Sequence, residues 1–126
     1  MKLKDNSPEY WEFIRQVRFH PDNVKGFVDR EPVTREQQER YMKAHGHKYK
    51  VCVMDGEPVG FIGVVDGDIR LAVHPDHKKK GIGEYMLKNV NMPHTAKVLR
   101  SNLPSLRLFL KCGYEVKNQD YRFYYL

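Results

Sequence analysis

The sequence predicts an α+β fold, with a mixed central sheet of about six strands flanked by four helices, in a single domain over residues 1–126. Two amphipathic helical patterns come first, and alternating strand patterns around glycine turns follow. A strand, a glycine turn and a helix then succeed one another without a gap in residues 69–90. At 126 residues the chain can bury one hydrophobic core but has no room for a second domain.

Two helices are expected in the N-terminal third of the chain. Residues 7–9 read as an N-cap serine, an N1 proline and a first-turn acid, and the helix should end near His20. Thr34 and Gln37 resemble a capping box that opens a second helix, which Gly46 ends. Only residues 1–4 precede the first helix, so a strand there is very short or absent. The buried face of the first helix is expected to comprise Tyr10, Phe13, Ile14 and Val17.

A three-stranded meander should follow these helices. Residues 48–54 alternate as a strand, residues 55–58 form a turn, and residues 59–65 return as the hairpin partner. A second turn, residues 66–68, leads into a short apolar strand over residues 69–73.

A cationic glycine turn joins that third strand to the next helix. Pro75 stops the strand, and residues 78–83, Lys-Lys-Lys-Gly-Ile-Gly, open a helix whose apolar positions continue to Val90. The unpaired amides and the positive end of the helix dipole would face this turn. Its glycines let a ligand approach the backbone closely, so the segment suits a phosphate or pyrophosphate. A dinucleotide site or a P-loop fits less well, because the turn lacks the first glycine of one and the Lys-Ser/Thr ending of the other.

The C-terminal third adds a strand, a helix and a hairpin. Residues 96–100 read as a strand, and Ser101 or Asn102 can cap a helix that Gly113 ends in the left-handed conformation. Residues 121–126 have the aromatic content of a last strand, expected to pair with residues 114–118.

Two motifs in this order resemble the GNAT superfamily of acyl-CoA N-acyltransferases. Residues 73–83 are similar to its acyl-CoA signature, with Lys78 in place of the usual Gln or Arg. The element order is similar to the GNAT fold over nearly the whole chain. Residues 15–18 and 33–37 loosely resemble the ribosomal-protein and nucleotide-sugar N-acetyltransferase branches, in which the segment equivalent to residues 20–30 helps to form the acceptor pocket. The second motif is carried by Asn102, Ser105, Leu108, Gly113 and Tyr114.

The resemblance implies an acetyl-CoA-dependent N-acetyltransferase that transfers an acetyl group to a primary amine by direct attack in a ternary complex. Amides of residues 79–84 would hold the CoA pyrophosphate, and strand backbone near Leu71 and Val73 would pair with the pantetheine arm. The cofactor-binding residues implied are Leu71, Val73, Lys78, Lys79, Lys80, Gly81, Ile82, Gly83, Glu84, Asn102, Ser105 and Phe109.

The candidate catalytic groups lie on or beside the strand that carries Val73. A backbone amide of this strand would donate a hydrogen bond to the oxyanion. Asp68 at its start and His74 at its end are the candidate bases, although Asp68 also suits an ordinary turn and His74 an exposed loop. Phe109 stands where the family often has a tyrosine that protonates the departing thiolate. The tyrosines that could replace it by proximity in sequence are Tyr114, Tyr121, Tyr124 and Tyr125.

A net charge of +6 favours an anionic partner, which CoA already satisfies. Nucleic acid is a less favoured partner, because only residues 78–80 form a basic run. Cys52 and Cys112 are expected to be free thiols in a cytoplasmic protein, no metal site is expected, and no segment suits a membrane span. A homodimer is left open. Two alternatives stand beside the enzyme: a tRNA or nucleic-acid base modifier of the same fold, and a CoA-binding interaction module without catalysis.

Overall fold

A computed structural model describes all 126 residues, which form seven strands, five α-helices and two short 3₁₀ helices. The N-terminal half contains β1 (Lys2–Asp5), α1 (Pro8–Phe19), α2 (Pro21–Val24), α3 (Arg35–His45), β2 (Tyr49–Met54) and β3 (Glu57–Val65). The C-terminal half contains β4 (Asp68–Val73), α4 (Ile82–Asn89), β5 (Lys97–Leu99), α5 (Leu103–Lys111), β6 (Asn118–Gln119) and β7 (Phe123–Tyr125). None of the helices has the length and apolarity needed to cross a membrane.

The strands form two sheets that meet at one point. β1, β2, β3 and β4 pair in that order as an antiparallel sheet, and β5, β7 and β6 form a second one. A single parallel bridge between Asp68 and Thr95 connects them. The predicted α+β class is therefore confirmed, with seven strands in two connected sheets and one short helix, α2, beyond the four that were expected.

Apolar side chains cover both faces of the first sheet. Ile14, Val17 and Met42 of α1 and α3 pack on one face, and Ile82 and Met86 of α4 pack on the other. This two-sided burial follows from strand geometry, because successive side chains of β3 point to opposite faces and its residues from Val59 onward are buried.

The helix boundaries largely follow their sequence signals. Thr34 and Gln37 form both halves of the capping box, and Gly113 ends α5 at a φ of 92°. Ser7 does occupy the N-cap of α1, but its hydroxyl donates to Glu9 rather than capping a backbone amide. Gly46 ends α3 with a φ of −57°, so it begins a one-turn 3₁₀ helix rather than a left-handed cap.

The C-terminal hairpin differs from the prediction. Residues 114–117 are not a strand, and only Asn118–Gln119 pairs with β7. β7 instead pairs along its whole length with β5. Residues 115–119 are all exposed, so this segment has no buried face to hold it against the sheet. At the other end of the chain, the very short first strand exists as β1 and pairs with β2.

Candidate functional site

A cleft of about 1380 Å³ opens where the two sheets separate. At its closed end the Ile69 amide donates to the Thr95 carbonyl at 2.9 Å, and the Thr95 amide donates to the Gly67 carbonyl at 2.8 Å. β4 and β5 both leave this bridge in the same direction and do not pair beyond it. The cleft therefore has the unpaired edge of β4 as one wall.

Backbone amides of β4 face this cleft. The His74 amide donates to Val59 on the β3 side, at 2.8 Å, whereas the Ile69 amide points to the opposite side, toward Thr95. Because successive amides of a strand alternate in direction, those of Leu71 and Val73 point into the cleft. The Val73 carbonyl on that side accepts a hydrogen bond from Asn23 Nδ2 at 3.1 Å.

The turn before α4 lies at the open end of the cleft. Gly81 is the N-cap at a φ of 77°, Lys79 has a φ of 65°, and no side chain caps the helix. Gly83 packs against α5, since a Cβ there would lie 2.8 Å from Leu108. Lys78 and Lys79 line the cleft and form no salt bridge, so their charge adds to the free amides.

Glu84 is the acidic residue of this first turn, and two lysines neutralise it. Its carboxylate accepts from Lys88 Nζ at 2.8 Å and from Lys111 Nζ at 3.2 Å. The hydrogen bond from Lys88, followed by that from Lys111, lowers the pKa of Glu84. The carboxylate is thus held within ion pairs and does not oppose an anion at the turn.

The start of α5 and the segment after α1 close the far wall. Asn102 caps α5 by accepting from the Ser105 amide at 3.3 Å. Gly26 approaches the same side chain so closely that a Cβ would lie 2.7 Å from Asn102 Nδ2. Phe109 is buried behind this wall, with the Tyr114 ring edge-on at 5.0 Å.

The predicted catalytic side chains do not all reach the cleft. Asp68 lines it, and burial raises the pKa of its carboxyl, although the charges of Lys97 and Arg70 oppose that rise. His74 does not line the cleft. Its Nδ1 accepts a hydrogen bond from the Asp76 amide at 3.1 Å, so this ring nitrogen is engaged in a local turn. Lys80 also lies outside the lining.

None of the four tyrosines named as possible proton donors in place of residue 109 lines the cleft. Tyr114 instead bonds His94, and the Tyr125 hydroxyl donates to Asp120. The predicted cofactor residues that the fold does bring together along the cleft are Leu71, Val73, Lys78, Lys79, Gly81, Ile82, Gly83, Glu84, Asn102, Ser105 and Phe109.

Sequence reasoning missed two arginines and a tyrosine that line the cleft: Arg18, Arg70 and Tyr41. A signal was present for both arginines. Arg70 interrupts an otherwise apolar strand, and Arg18 lies four residues after the buried Ile14 on the inward stripe of α1. Tyr41 lay in the expected second helix, but nothing local placed it at this cleft.

Comparison with known proteins identifies the fold independently. Residues 45–116 match a family model described as an acetyltransferase (GNAT) domain, which spans more than half of the chain. No curated protein matches the chain.

Solved structures match over nearly the full length. Spermidine N-acetyltransferase from Vibrio cholerae, solved with CoA and spermine, has a TM-score of 0.80 at 14% identity over 98% of this chain and 91% of its own. Ribosomal-protein-alanine N-acetyltransferase from Brucella melitensis has a TM-score of 0.77 at 14% identity, over 99% of this chain and 97% of its own. The yncA protein of Salmonella typhimurium, solved with its cofactor acetyl-CoA, has a TM-score of 0.76 at 17% identity, over 99% of this chain and 92% of its own. At these identities the likeness is one of fold.

Proposed function

The chain belongs to the GNAT acetyltransferase family, and from that premise we propose that it transfers an acetyl group from acetyl-CoA to a primary amine, by direct attack within a ternary complex. The observation that carries the proposal is the unpaired edge of β4 running toward the uncapped N-terminus of α4. The edge of β4 offers backbone donors for the amide-containing arm of CoA. The N-terminus of α4 offers free amides and lysines for the CoA phosphates.

The cofactor would lie along the length of this cleft. The free amides at the start of α4, with Lys78 and Lys79 beside them, bind the pyrophosphate. Leu71 pairs with the pantetheine arm through its amide and carbonyl. Asn102 and Ser105 form the opposite wall. Lys80 contributes charge from outside the lining.

Catalysis would rest on positioning and on one preorganised donor. The bound thioester supplies the activated acetyl group. The Val73 amide, which points into the cleft, donates to the oxyanion as the amine attacks. Asp68 receives the proton of the ammonium through water, because about five residues of strand, on the order of 16 Å, separate it from Val73. Phe109 has no proton for the leaving thiolate, and a thiol with a pKa of about 8.5 can leave near neutral pH without one.

Calorimetry with acetyl-CoA tests the cofactor site. Gly81→Glu places a carboxylate among the proposed phosphate donors, and we expect it to abolish binding that is micromolar in the unchanged protein. Gly56→Glu is the matched control, since Gly56 has nearly the same φ, 78° against 77°, and both positions have open space beyond the Cα. The control adds the same strain and charge at a hairpin tip outside the cleft. Equal affinity in the two variants would contradict the assignment.

Transfer is tested separately by following CoA thiol release over a panel of primary amines. Amine-dependent release that Gly81→Glu removes and Gly56→Glu retains supports the acetyltransferase. Acetyl-CoA binding without release for any amine would instead identify a CoA-binding module without catalysis.

A further inference from the structure

Two arginines that form no salt bridge line the inner part of the cleft. Arg18 comes from α1 and Arg70 from β4, and both also border a small adjoining cavity beside Tyr41 and Tyr49. Both side chains are half-buried, and neither forms a salt bridge. Two guanidinium groups this close to one cavity would normally be paired when they are withdrawn from water.

Sheet register fixes the position of Arg70. Gly63 of β3 pairs with Tyr49 on one side and with Arg70 on the other, so the two side chains project from the same face of the sheet. Gly63 leaves room for the Tyr49 ring, because a Cβ there would lie 2.5 Å from Tyr49 Cδ1. The Tyr49 hydroxyl is bonded to that of Tyr41 at 2.8 Å. Arg70 therefore projects from the same face of the sheet as this bonded pair of tyrosines.

Aromatic rings hold Arg18 in place. Its guanidinium lies 5.0 Å from the centre of the Phe19 ring and 5.2 Å from that of Phe27. One terminal nitrogen reaches the Asp29 carbonyl at 3.5 Å, a long contact. Its Nε is shielded from solvent and has no hydrogen-bond acceptor. The arginine is thus positioned by packing, while most of its donors stay available.

The two arginines, Arg18 and Arg70, suit an anionic ligand rather than a cationic one. Guanidinium groups bind carboxylates and phosphates through paired N–H donors, and neither arginine uses its donors in a salt bridge with a carboxylate of the protein. Asp68 is the acidic side chain closest along β4, two residues before Arg70 and on the same face. An acid for an ammonium group and arginines for an anion are complementary to a molecule that carries both charges.

We propose that the acceptor is a small amine that also carries a carboxylate or a phosphate, and that Arg18 and Arg70 bind this anionic group. The inference rests on the proposed acetyltransferase function and names its substrate class. Arg70 lies between Asp68 and Val73 on β4, about 7 Å and 10 Å along the strand from them. An acceptor anchored at Arg70 therefore keeps its amine within the stretch of cleft that holds the proposed base and oxyanion donor. Polyamines are poor acceptors at such a site.

Matched substrate pairs test the proposal. An amino acid is compared with its carboxamide, and an amino-sugar phosphate with the free amino sugar, by measuring kcat/KM with saturating acetyl-CoA. We expect the anionic member of one pair to be favoured at least about 10-fold, and the pair that shows this distinguishes carboxylate from phosphate.

Arginine variants locate the effect. Arg70→Gln and, independently, Arg18→Gln should raise KM for the anionic acceptor by about 10- to 100-fold, while the acetyl-CoA dissociation constant stays unchanged. Arg70→Lys should restore part of the loss. Arg40→Gln removes the same charge from an exposed position of α3 outside the cleft, and we expect it to behave as the unchanged protein. Thermal melting checks that each variant is folded.

The results separate this inference from the proposed function. Equal or better use of the neutral members, or a charge preference that survives both glutamine variants, overturns the anionic acceptor and leaves the acetyltransferase intact. Transfer to other amines of the panel but to none of the four compounds also overturns the anionic acceptor. Acetyl-CoA binding without transfer to any amine of the panel overturns the acetyltransferase. In that case calorimetry of the same four compounds with the CoA-loaded protein decides: selective binding of an anionic member that Arg70→Gln removes supports the arginine site, and no selectivity overturns it.

Discussion

Asp68 combines burial, a place in the cleft and a displaced pKa. It is the first residue of β4 and forms the bridge that joins the two sheets. Burial raises the pKa of its carboxyl, and Lys97, Arg70 and His94 limit that rise. An acid whose neutral form is favoured can accept a proton more readily than an exposed aspartate does.

Asp68→Asn should therefore separate stability from activity. Because the folded-state pKa lies above the unfolded value, the stabilising contribution of this carboxyl is complete below the unfolded-state pKa and is lost as the pH rises through the folded-state pKa. At pH 7 the asparagine variant should be at least as stable as the unchanged protein, while kcat falls by about 10²- to 10⁴-fold if Asp68 is the base. Denaturant unfolding and initial rates measure the two effects.

The pH profile gives the second half of that test. In the unchanged protein, kcat/KM should rise with pH as Asp68 loses its proton, at a pH above the ordinary pKa of an aspartate. Asp68→Asn should remove this rise. Unchanged rates in the variant would leave Asp68 as a structural residue of the sheet junction.

Among the elements, α3 offers the clearest stability test. Thr34 Oγ1 accepts from the Gln37 amide at 3.1 Å, and Gln37 Oε1 accepts from the Thr34 amide at 2.7 Å. Thr34→Ala should lower the free energy of unfolding by about 0.5–2 kcal/mol. Ser7→Ala is the control, because Ser7 stands at the N-cap of α1 without capping a backbone amide. Equal losses in urea unfolding would mean that the capping bonds contribute nothing.

Elements with local signals were the predictable ones. The capping box, the glycine turn before α4 and the left-handed Gly113 depend on residues within a few positions of one another, and each is found as expected. The expected strand over residues 114–118 is mostly irregular, because pairing with β7 depends on where β5 lies and on burial that local sequence does not report.

In the candidate site, too, the parts that depend on local sequence could be predicted and the parts that depend on tertiary packing could not. The turn and the strand edge belong to one continuous segment, so the resemblance to GNAT proteins, confirmed by the family match, could be seen in the sequence. Arg18, Tyr41 and Arg70 come from α1, α3 and β4 and meet only through the packing of those helices on the sheet. His74 illustrates the converse, since nearness in sequence to Val73 did not place its side chain in the cleft.

At the scale of the whole molecule, a net charge of +6 surrounds a cleft expected to bind an anion. Raising the ionic strength from 0.01 M to 0.15 M shortens the screening length from about 30 Å to about 8 Å. We expect the dissociation constant of acetyl-CoA to rise across this range. Measurement of a single-stranded oligonucleotide over the same salt series is the comparison. Tight oligonucleotide binding that falls steeply with salt would favour the nucleic-acid alternative, and a flat response near background would remove it.

The side chain of Asn23 links the end of α1 to the end of β4. Its side-chain amide donates both to the Val17 carbonyl at the end of α1 and to the carbonyl of Val73, whose own amide is the proposed oxyanion donor. Any ligand that draws the segment after α1 toward itself therefore also acts on the backbone that aligns the thioester. By thermodynamic reciprocity each substrate would then alter the affinity for the other by the same factor. Selectivity for the acceptor and affinity for the cofactor would in that case be one coupled property of the fold.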